Sequence, residues 1–407
     1  MIGCRREQTR TPTIRLGKVA AELRPSAAAV QTVKRGSVPK RAVLHVFRYF
    51  RPDFTGEGIY LEKLAPLLAA RGIRSDVIAA STRPPAVAPE LPGIDRLRYF
   101  GRPGRAGPHV DPQLLLWMLR HARRYEAVHL HALVERLFLV PLLARALGCR
   151  VIQSCTLDDG IGTVIDSYRG WRRPVARTLV RALHAVVAIS PRLAVDSRRV
   201  LPGSQVHLIP QGVALPAAPT TSRAAVRTEL GLPADAVLLL FVGSLSRRKG
   251  IDTLVALQRG LPAAARTQLV IVGPDLEDAY ATQVRAAAAG AAIYFAGYTN
   301  DPKPWYAAAD IFVFASHAEG FGNVLLEAMA HGLPVVSRRL AGVTDAFIDD
   351  GRTGLLFDTD AELRAAVLRL AADPGLRAAL GTAAAAVARA DYALPDNAAR
   401  YVALYEA

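Results

Sequence analysis

Short apolar stretches rich in β-branched residues alternate along this sequence with longer stretches whose apolar residues recur at helical spacing. The first pair is AVLHVF (residues 42–47), typical of a buried strand, and IYLEKLAPLLAARG (59–72), typical of a helix that ends at a glycine. Strands that alternate with helices in this way pair in parallel, and the helices cover both faces of the sheet. The alternation therefore predicts an α/β protein.

The alternating pattern occurs in two series. The first runs to VHLIPQGV (206–213), and the second starts at VLLLFVGS (237–244). Between them, PAAPTTS (216–222) has the composition of a linker, while PDNAARYVALYEA (395–407) is a separate amphipathic helix. A chain of 407 residues is long enough for two domains. We therefore predict two doubly wound domains, with the ligand site in the cleft between them.

The predicted boundaries follow from these changes in pattern. The first domain covers residues 41–215, the second covers 216–394, and the terminal helix follows them. Residues 1–40 are basic and lack clear apolar periodicity, so they are predicted to be a disordered extension. Within the first domain, residues 82–112 are rich in Pro, Gly and Arg and are predicted to form a loop.

Composition and charge narrow the function classes. Three cysteines without metal-type spacing favour a reducing compartment. Neither an apolar run of about 18 residues nor a secretory h-region is present, so a cytoplasmic location is expected. The net charge of +16 is concentrated before residue 216 and suggests an anionic partner. The basic residues are not interleaved with an aromatic platform, so we expect no nucleic-acid partner.

The stretch EGFGNVLLE (319–327) predicts a ligand site in the second domain. A strand ends at Ser316, and a helix begins near Asn323 after two glycines that let the backbone turn tightly. The first amides of such a helix lack intrahelical partners and attract anions, together with the helix dipole. Glu327, one turn into the helix, could accept hydrogen bonds from a ribose diol. We therefore predict that this segment binds a nucleoside diphosphate.

A second loop, in FVGSLSRRKGIDTL (241–254), supports the same ligand. The strand ends at Gly243, the helix begins near Ile251, and Arg247, Arg248 and Lys249 lie between them. Cations beside a helix N-terminus are well placed to neutralise a diphosphate. The sequence lacks both the P-loop pattern and a well-placed GxGxxG, so other nucleotide motifs are not supported.

A metal site is not predicted. The only D-x-D pattern ends at Asp360, which is better interpreted as the N-cap of a helix, and neither HExxH nor CxxC occurs. Basic residues can neutralise a diphosphate without a cation, so no metal and no cofactor are expected beyond the donor substrate.

These motifs together resemble those of glycosyltransferase family 4. Glu319 and Glu327 fit its E-x7-E motif, and the run ASHAEGFGNVLLEAMAHGLPVVSRRLAGVTDAFIDDGRTGLLF is similar to the family almost throughout. GSLSRRKG resembles the donor loop G-R-L-x-x-x-K-G, and VHLIPQGV resembles a segment that usually reads I-P-N-G-V. The similarity spans roughly residues 41–407 and is more specific in the second domain.

The resemblance implies a GT-B fold: two Rossmann-like domains that face each other across a cleft, the first for the acceptor and the second for the donor, with the C-terminal helix crossing back to the first. It implies that Lys249 contacts the phosphates, Glu327 the ribose and Glu319 the transferred sugar. The other donor-binding positions that it implies are Gly56, Gly243, Arg248, Phe321, Gly322 and Asn323.

The sequence departs from the family at two places. The donor loop has Ser244 where an Arg is usual, which shifts phosphate binding to Arg248. Where many members have an active-site His after a first-domain strand, this chain has Cys155 and Thr156. Asp158, Asp159 or His131 could take over that catalytic role, and a lone His at a strand end is more often structural.

The resemblance implies a retaining, metal-independent hexosyltransferase that moves a sugar from a nucleoside diphosphate sugar to a glycan or lipid-linked acceptor in cell-surface polysaccharide synthesis. The alternatives are a catalytically impaired nucleotide-sugar-binding protein of the same fold and a hydrolase that uses Glu319 and Glu327 as an acid/base pair. The segment RGWRRPVARTLVRALHAVV (169–187) could rest on an anionic membrane at the inner face of the cytoplasmic membrane, or be an ordinary solvated helix face.

Overall fold

The computed structural model describes residues 41–53, 55–80, 88–100, 112–131, 139–156, 160–217 and 222–407. The predictions for residues 1–40, for Asp158 and for Asp159 lie outside these residues, as does most of the predicted linker. Residues Lys40–Ala407 form one compact unit. Two parallel sheets divide that unit into a first half and a second half.

The first half contains a seven-stranded sheet with the strand order β3-β2-β1-β4-β5-β6-β7. Its strands are β1 (Arg41–Phe47), β2 (Ile73–Ala80), β3 (Ile94–Phe100), β4 (Ala127–His131), β5 (Arg150–Cys155), β6 (Ala185–Ala188) and β7 (Val206–Leu208). Its helices are α1 (Gly56–Ala70), α2 (Pro112–His121), α3 (Leu139–Ala146), α4 (Ile161–Asp166), α5 (Arg172–Leu179) and α6 (Pro191–Arg198).

The second half contains a six-stranded sheet with the strand order β10-β9-β8-β11-β12-β13. Its strands are β8 (Val237–Val242), β9 (Thr267–Val272), β10 (Ile293–Gly297), β11 (Ile311–Phe314), β12 (Val335–Arg338) and β13 (Leu355–Phe357). The helices here are α7 (Arg223–Glu229), α8 (Ile251–Gly260), α9 (Asp278–Ala287), α10 (Lys303–Ala308), α11 (Asn323–Ala330), α12 (Asp360–Ala372), α13 (Pro374–Asp391) and α14 (Leu394–Glu406).

The central strands are almost uniformly apolar because helices cover both of their faces. In β11, all four residues of IFVF are buried, and β8 buries the four residues of LLLF. Every strand pairing within the two sheets is parallel. The prediction of two doubly wound α/β layers is confirmed.

Two elements differ from the sequence-based prediction. The predicted loop over residues 82–112 was wrong for Ile94–Phe100, which forms the edge strand β3. Three of its seven residues, Asp95, Arg96 and Arg98, are charged and exposed, and an edge strand tolerates this. The helix α2 was also missed, although PQLLLWMLRH buries Leu114 and Met118 at helical spacing.

The N-cap prediction for Asp360 was wrong by one residue. The N-cap of α12 is Thr359, whose side chain accepts a hydrogen bond from the amide of Glu362, while the Glu362 carboxylate accepts from the Thr359 amide. This reciprocal pair is a capping box. Asp360 is the first helical residue, where its charge still favours the helix N-terminus.

The last helix, α14, packs against the first half of the chain, as the fold prediction required. Its residues Leu394, Ala398, Tyr401, Leu404 and Tyr405 join one buried cluster with Val43, Tyr60 and Leu64. Asn397 is hydrogen-bonded to the Tyr60 hydroxyl and to the Pro210 carbonyl. The chain therefore returns to its first sheet at its end.

Helices that are both long and apolar enough to cross a membrane are absent from the described residues.

Candidate active site

Each sheet reverses its strand order once in mid-sheet, and ligands of open α/β sheets bind beyond the carboxyl ends of strands at such points. In the second sheet the reversal falls between β8 and β11. The loop after β8 carries Arg248 and Lys249, and the loop after β11 carries Glu319. The two loops that the sequence predicted separately therefore meet at one edge of the sheet.

The loop after β8 lies close to its neighbours. The Gly243 carbonyl oxygen would be 1.9 Å from a Cβ built on Gly273, so these two backbone segments approach each other as closely as only glycine permits. Arg247–Lys249 form a short 3-10 turn that ends at Gly250. Gly250 adopts a left-handed conformation (φ 64°), and a Cβ there would be 2.3 Å from the Ala315 carbonyl oxygen. The His317 amide donates a hydrogen bond to the Arg248 carbonyl oxygen at 2.8 Å, which holds the basic turn against the loop after β11.

Glu319 receives three polar contacts in this loop. Lys249 Nζ lies 2.5 Å from Oε1, and Arg248 Nη1 lies 3.1 Å from Oε2. The Ser316 hydroxyl donates to Oε1 at 2.6 Å. Burial acts to raise the pKa of Glu319, but the charges of Lys249 and Arg248 outweigh it and hold the pKa below its ordinary value. The carboxylate is therefore ionised at neutral pH and paired with the lysine.

The N-terminus of α11 is open toward this loop. Its N-cap is Gly322, with φ 104°, and no side chain among the described residues makes a capping hydrogen bond there. The side-chain oxygen of Asn323 is buried and has no hydrogen-bond partner among the described residues. An uncapped helix N-terminus binds an anion through its free amides and its dipole. Phe321, just before the N-cap, is buried against Phe347.

Both carboxylate oxygens of Glu327 are already oriented. Oε2 accepts a hydrogen bond from the Tyr306 hydroxyl at 2.9 Å. Oε1 lies 2.8 Å from Lys63 Nζ, which belongs to α1 in the first half. A second contact between the halves joins the Arg192 guanidinium to the Glu319 carbonyl oxygen at 3.1 Å. The sequence pointed to neither Lys63 nor Arg192, because each is an isolated cation without a motif.

The reversal in the first sheet falls between β1 and β4, and Glu57 lies there. Its Oε1 is 2.9 Å from His131 Nδ1, and its Oε2 accepts from the Thr156 hydroxyl at 2.9 Å. Gly56, predicted for donor binding, is the first residue of α1, where a Cβ would meet no atom within 4 Å. Sequence reasoning missed Glu57, although a carboxylate in the first turn of the helix after a strand was a usable signal.

His131 belongs to a group of three buried histidines with His45 and His129, whose ligand atoms lie within 4.8 Å of one another. Such spacing could accommodate a metal ion. Hydrogen bonds already engage five of the six ring nitrogens, and the exception among the described residues is His45 Nε2. Burial lowers the pKa of all three histidines, to about 3 for His131, so the group is neutral.

Comparison with known proteins matches both halves of the chain. Residues 54–215 match the model described as Glycosyltransferase Family 4, and residues 236–373 match Glycosyl transferases group 1. The chain is 30% identical over 378 residues to the D-inositol 3-phosphate glycosyltransferase of Arthrobacter sp. (strain FB24), with 82% of this chain and 86% of that protein covered.

Two further similarities complete the comparison. Over 156 residues the chain is 36% identical to LpsE of Rhizobium meliloti (strain 1021), a lipopolysaccharide core biosynthesis glycosyltransferase, with 38% of this chain and 45% of that protein covered. The structure of Anabaena HepE in complex with UDP-glucose superimposes with a TM-score of 0.70 at 18% identity, covering 90% of this chain and 99% of HepE.

Proposed function

Because this chain belongs to glycosyltransferase family 4, we propose that it transfers a sugar from a nucleoside diphosphate sugar to an acceptor hydroxyl with retention at the anomeric carbon. The observation that carries the proposal is the meeting of Lys249 and Glu319 with the uncapped N-terminus of α11. A diphosphate can compete with Glu319 for the lysine ammonium group while the helix amides receive its oxygens. The nucleotide-bound structure of HepE, which shares the fold, supports this class of donor.

We propose a role for each residue of the donor site. Lys249, Arg248 and the α11 amides stabilise the negative charge that grows on the leaving diphosphate, which is electrostatic preorganisation. Glu327, already oriented by Tyr306, accepts hydrogen bonds from the ribose hydroxyls after Lys63 moves aside. As the bond between the anomeric carbon and the phosphate oxygen breaks, the acceptor oxygen bonds to the same face. The acceptor proton passes to the leaving phosphate oxygen.

A thermal-shift screen against UDP, GDP and ADP tests the donor assignment. A nucleotide that binds only the folded state stabilises it by about 2.7 kcal/mol at 100 times its Kd. We expect one of the three to raise the unfolding temperature, and its sugar derivative to be consumed in the presence of acceptors. Binding without consumption would instead support the catalytically impaired alternative, and no binding would contradict the proposal.

Removal of divalent cations is expected to leave donor binding unchanged. Lys249, Arg248 and the free amides of α11 can stabilise the negative charge of the diphosphate without a bridging metal. Calorimetric titration of UDP into protein treated with EDTA should give the same Kd as titration in the presence of magnesium. A loss of affinity of about tenfold or more in EDTA would contradict the metal-independent proposal.

We further propose a lipid-linked or cell-surface glycan acceptor and work at the inner face of the cytoplasmic membrane, which the similarity to LpsE supports. Trp171 has 66% of its surface exposed, and the Arg172 guanidinium lies 5.8 Å from the centroid of its ring. A cation beside an exposed aromatic ring suits the interface of an anionic membrane.

Replacing Trp171 with alanine is therefore expected to reduce flotation with anionic phosphatidylglycerol vesicles at low salt at least severalfold. Loss of the ring removes the apolar anchor and leaves the charge attraction alone. Leu276→Ala is the matched control, because Leu276 has 64% of its surface exposed in the second half. Equal flotation of the two variants would count against this surface.

A further inference from the structure

Three neighbouring strands of the first sheet, β1, β4 and β5, end beside the carboxyl group of Glu57. Glu57 lies in the first turn of α1, which follows β1. His131 is the last residue of β4, and Thr156 directly follows β5. All three residues lie at the carboxyl edge of the sheet, where the strand order reverses. The donor-binding steps proposed above leave this position without a role.

In this group Glu57 can still contact a ligand, whereas His131 only holds Glu57 in place. The His131 ring is held between Glu57 and His45, with 2.9 Å from its Nδ1 to Glu57 Oε1 and 2.9 Å from its Nε2 to His45 Nδ1. Neither ring nitrogen is left for a ligand. A neutral carboxyl group carries one O–H, so Glu57 can donate one hydrogen bond to a ligand while His131 and Thr156 hold its two oxygens.

The surroundings of Glu57 favour the neutral, protonated form of its carboxyl group. Burial raises its pKa to about 8, although the hydrogen bond from Thr156 acts in the opposite direction. The titratable groups around it among the described residues are His131 on β4, Cys155 on β5 and Tyr401 on α14, and His45 on β1 contacts the far side of the His131 ring. Burial lowers the pKa of both histidines and raises that of the thiol and the phenol, so all four are uncharged at neutral pH.

Two contacts join the first half of the chain to the donor site. Lys63, on the same helix as Glu57, contacts Glu327, and Arg192 contacts the backbone of Glu319. A neutral acid on this side can donate a hydrogen bond to a sugar oxygen. An ionised one would instead place negative charge near the departing diphosphate and oppose its binding.

We propose that Glu57 is a specificity-determining residue that donates a hydrogen bond to a hydroxyl group of the transferred sugar, from the side of the cleft opposite Lys249 and Glu319. This inference rests on the proposed function, since it needs a sugar nucleotide in the donor site. His131 and Thr156 are positioning residues: they hold the carboxyl group, and His45 fixes His131 in turn.

Calorimetric Kd values for UDP and UDP-glucose test this role, because UDP lacks the sugar and serves as an internal control. Glu57→Ala is expected to weaken UDP-glucose binding about tenfold relative to UDP binding, the cost of one lost hydrogen bond. Glu57→Gln keeps a donor and should retain the wild-type ratio within about threefold. Glu62→Gln is the matched control on the same helix, since Glu62 pairs with Arg51.

The pH dependence gives a second readout. Above about pH 8 the wild-type carboxyl group loses its proton and its capacity to donate. The preference for UDP-glucose over UDP should then fall in the wild type and stay constant in Glu57→Gln. A purely structural role for Glu57 would shift both affinities together.

Each contrary outcome has a distinct meaning. If wild type binds UDP and Glu57→Ala keeps the wild-type ratio, the inference fails and the proposed function stands. A Gln variant as impaired as the Ala variant would overturn the donor role. If wild type binds none of UDP, GDP and ADP, the proposed function and the role of Glu57 fail together; if it binds GDP or ADP instead of UDP, the same comparison is made with that nucleotide and its sugar derivative.

Discussion

Replacing Lys249 with alanine is expected to reduce the rate of sugar transfer about 100- to 1,000-fold, the usual cost of removing one preorganised group that stabilises transition-state charge. Lys249 Nζ is held 2.5 Å from Glu319 beside the open N-terminus of α11, where the leaving diphosphate would gather its charge. The loss should fall mainly on kcat, because the charge develops as the bond breaks. Steady-state kinetics with the donor identified by the thermal-shift screen measures the effect.

Arg247→Ala is the matched control for this prediction, since it removes a cation from the same 3-10 turn. The Arg247 guanidinium lies 5.3 Å from the centroid of the Tyr280 ring, a contact separate from the Glu319 pair. Its replacement should leave kcat within about threefold, because Arg247 is exposed and an exposed cation beside an aromatic ring contributes only about 0.5–1 kcal/mol. Equal losses in both variants would show that the turn acts through its overall charge and would contradict a specific role for Lys249.

Replacing Asp310 with alanine is expected to lower the free energy of unfolding by about 3–5 kcal/mol. The Asp310 carboxylate accepts hydrogen bonds from Arg227 at 2.5 Å, from Arg223 at 2.8 Å and from the Leu238 amide at 2.8 Å. The Arg227 side chain is 7% exposed, so its charge would be left buried without a carboxylate. Urea unfolding followed by fluorescence measures the change as a lower midpoint.

Asp235→Ala provides the comparison, because its pair with Arg266 joins the same residue types at the surface. That pair is 3.8 Å long, and its side chains are 79% and 73% exposed. Water and salt screen such pairs, so the expected change is about 0–1 kcal/mol. If the two variants unfold at the same urea concentration, the buried pair is not the stabilising contact that the geometry indicates.

The two α/β layers and the donor loops could be predicted from the sequence because their signals are local. Apolar strands such as IFVF and helices such as α8 carry their periodicity within about ten residues. The edge strand β3 lacked that signal, because the exposed residues Asp95, Arg96 and Arg98 interrupt its apolar residues. A local sequence pattern does not reveal that a strand lies at the edge of a sheet, where it pairs with a neighbour on one side only.

Contacts within the site were beyond reach for a different reason. Glu57 meets His131 and Thr156 across sequence separations of 74 and 99 residues, and only the strand order brings them together. The Lys249–Glu319 pair spans 70 residues. Each residue could be selected singly, by its position after a strand, but the pairing that sets its protonation required the sheet topology.

The packing of α14 has a consequence for how the chain is made. The first half leaves the ribosome long before residues 394–406. The surface of the first sheet that Tyr401, Leu404 and Tyr405 cover in the folded protein is therefore exposed during synthesis. His129 likewise lacks its hydrogen-bond partner, the Tyr405 hydroxyl, until the chain has grown by a further 276 residues. Folding of the first half therefore finishes only after residues 394–406 have left the ribosome. A stop codon before residue 394 would damage the first sheet, although that sheet is encoded far upstream of it.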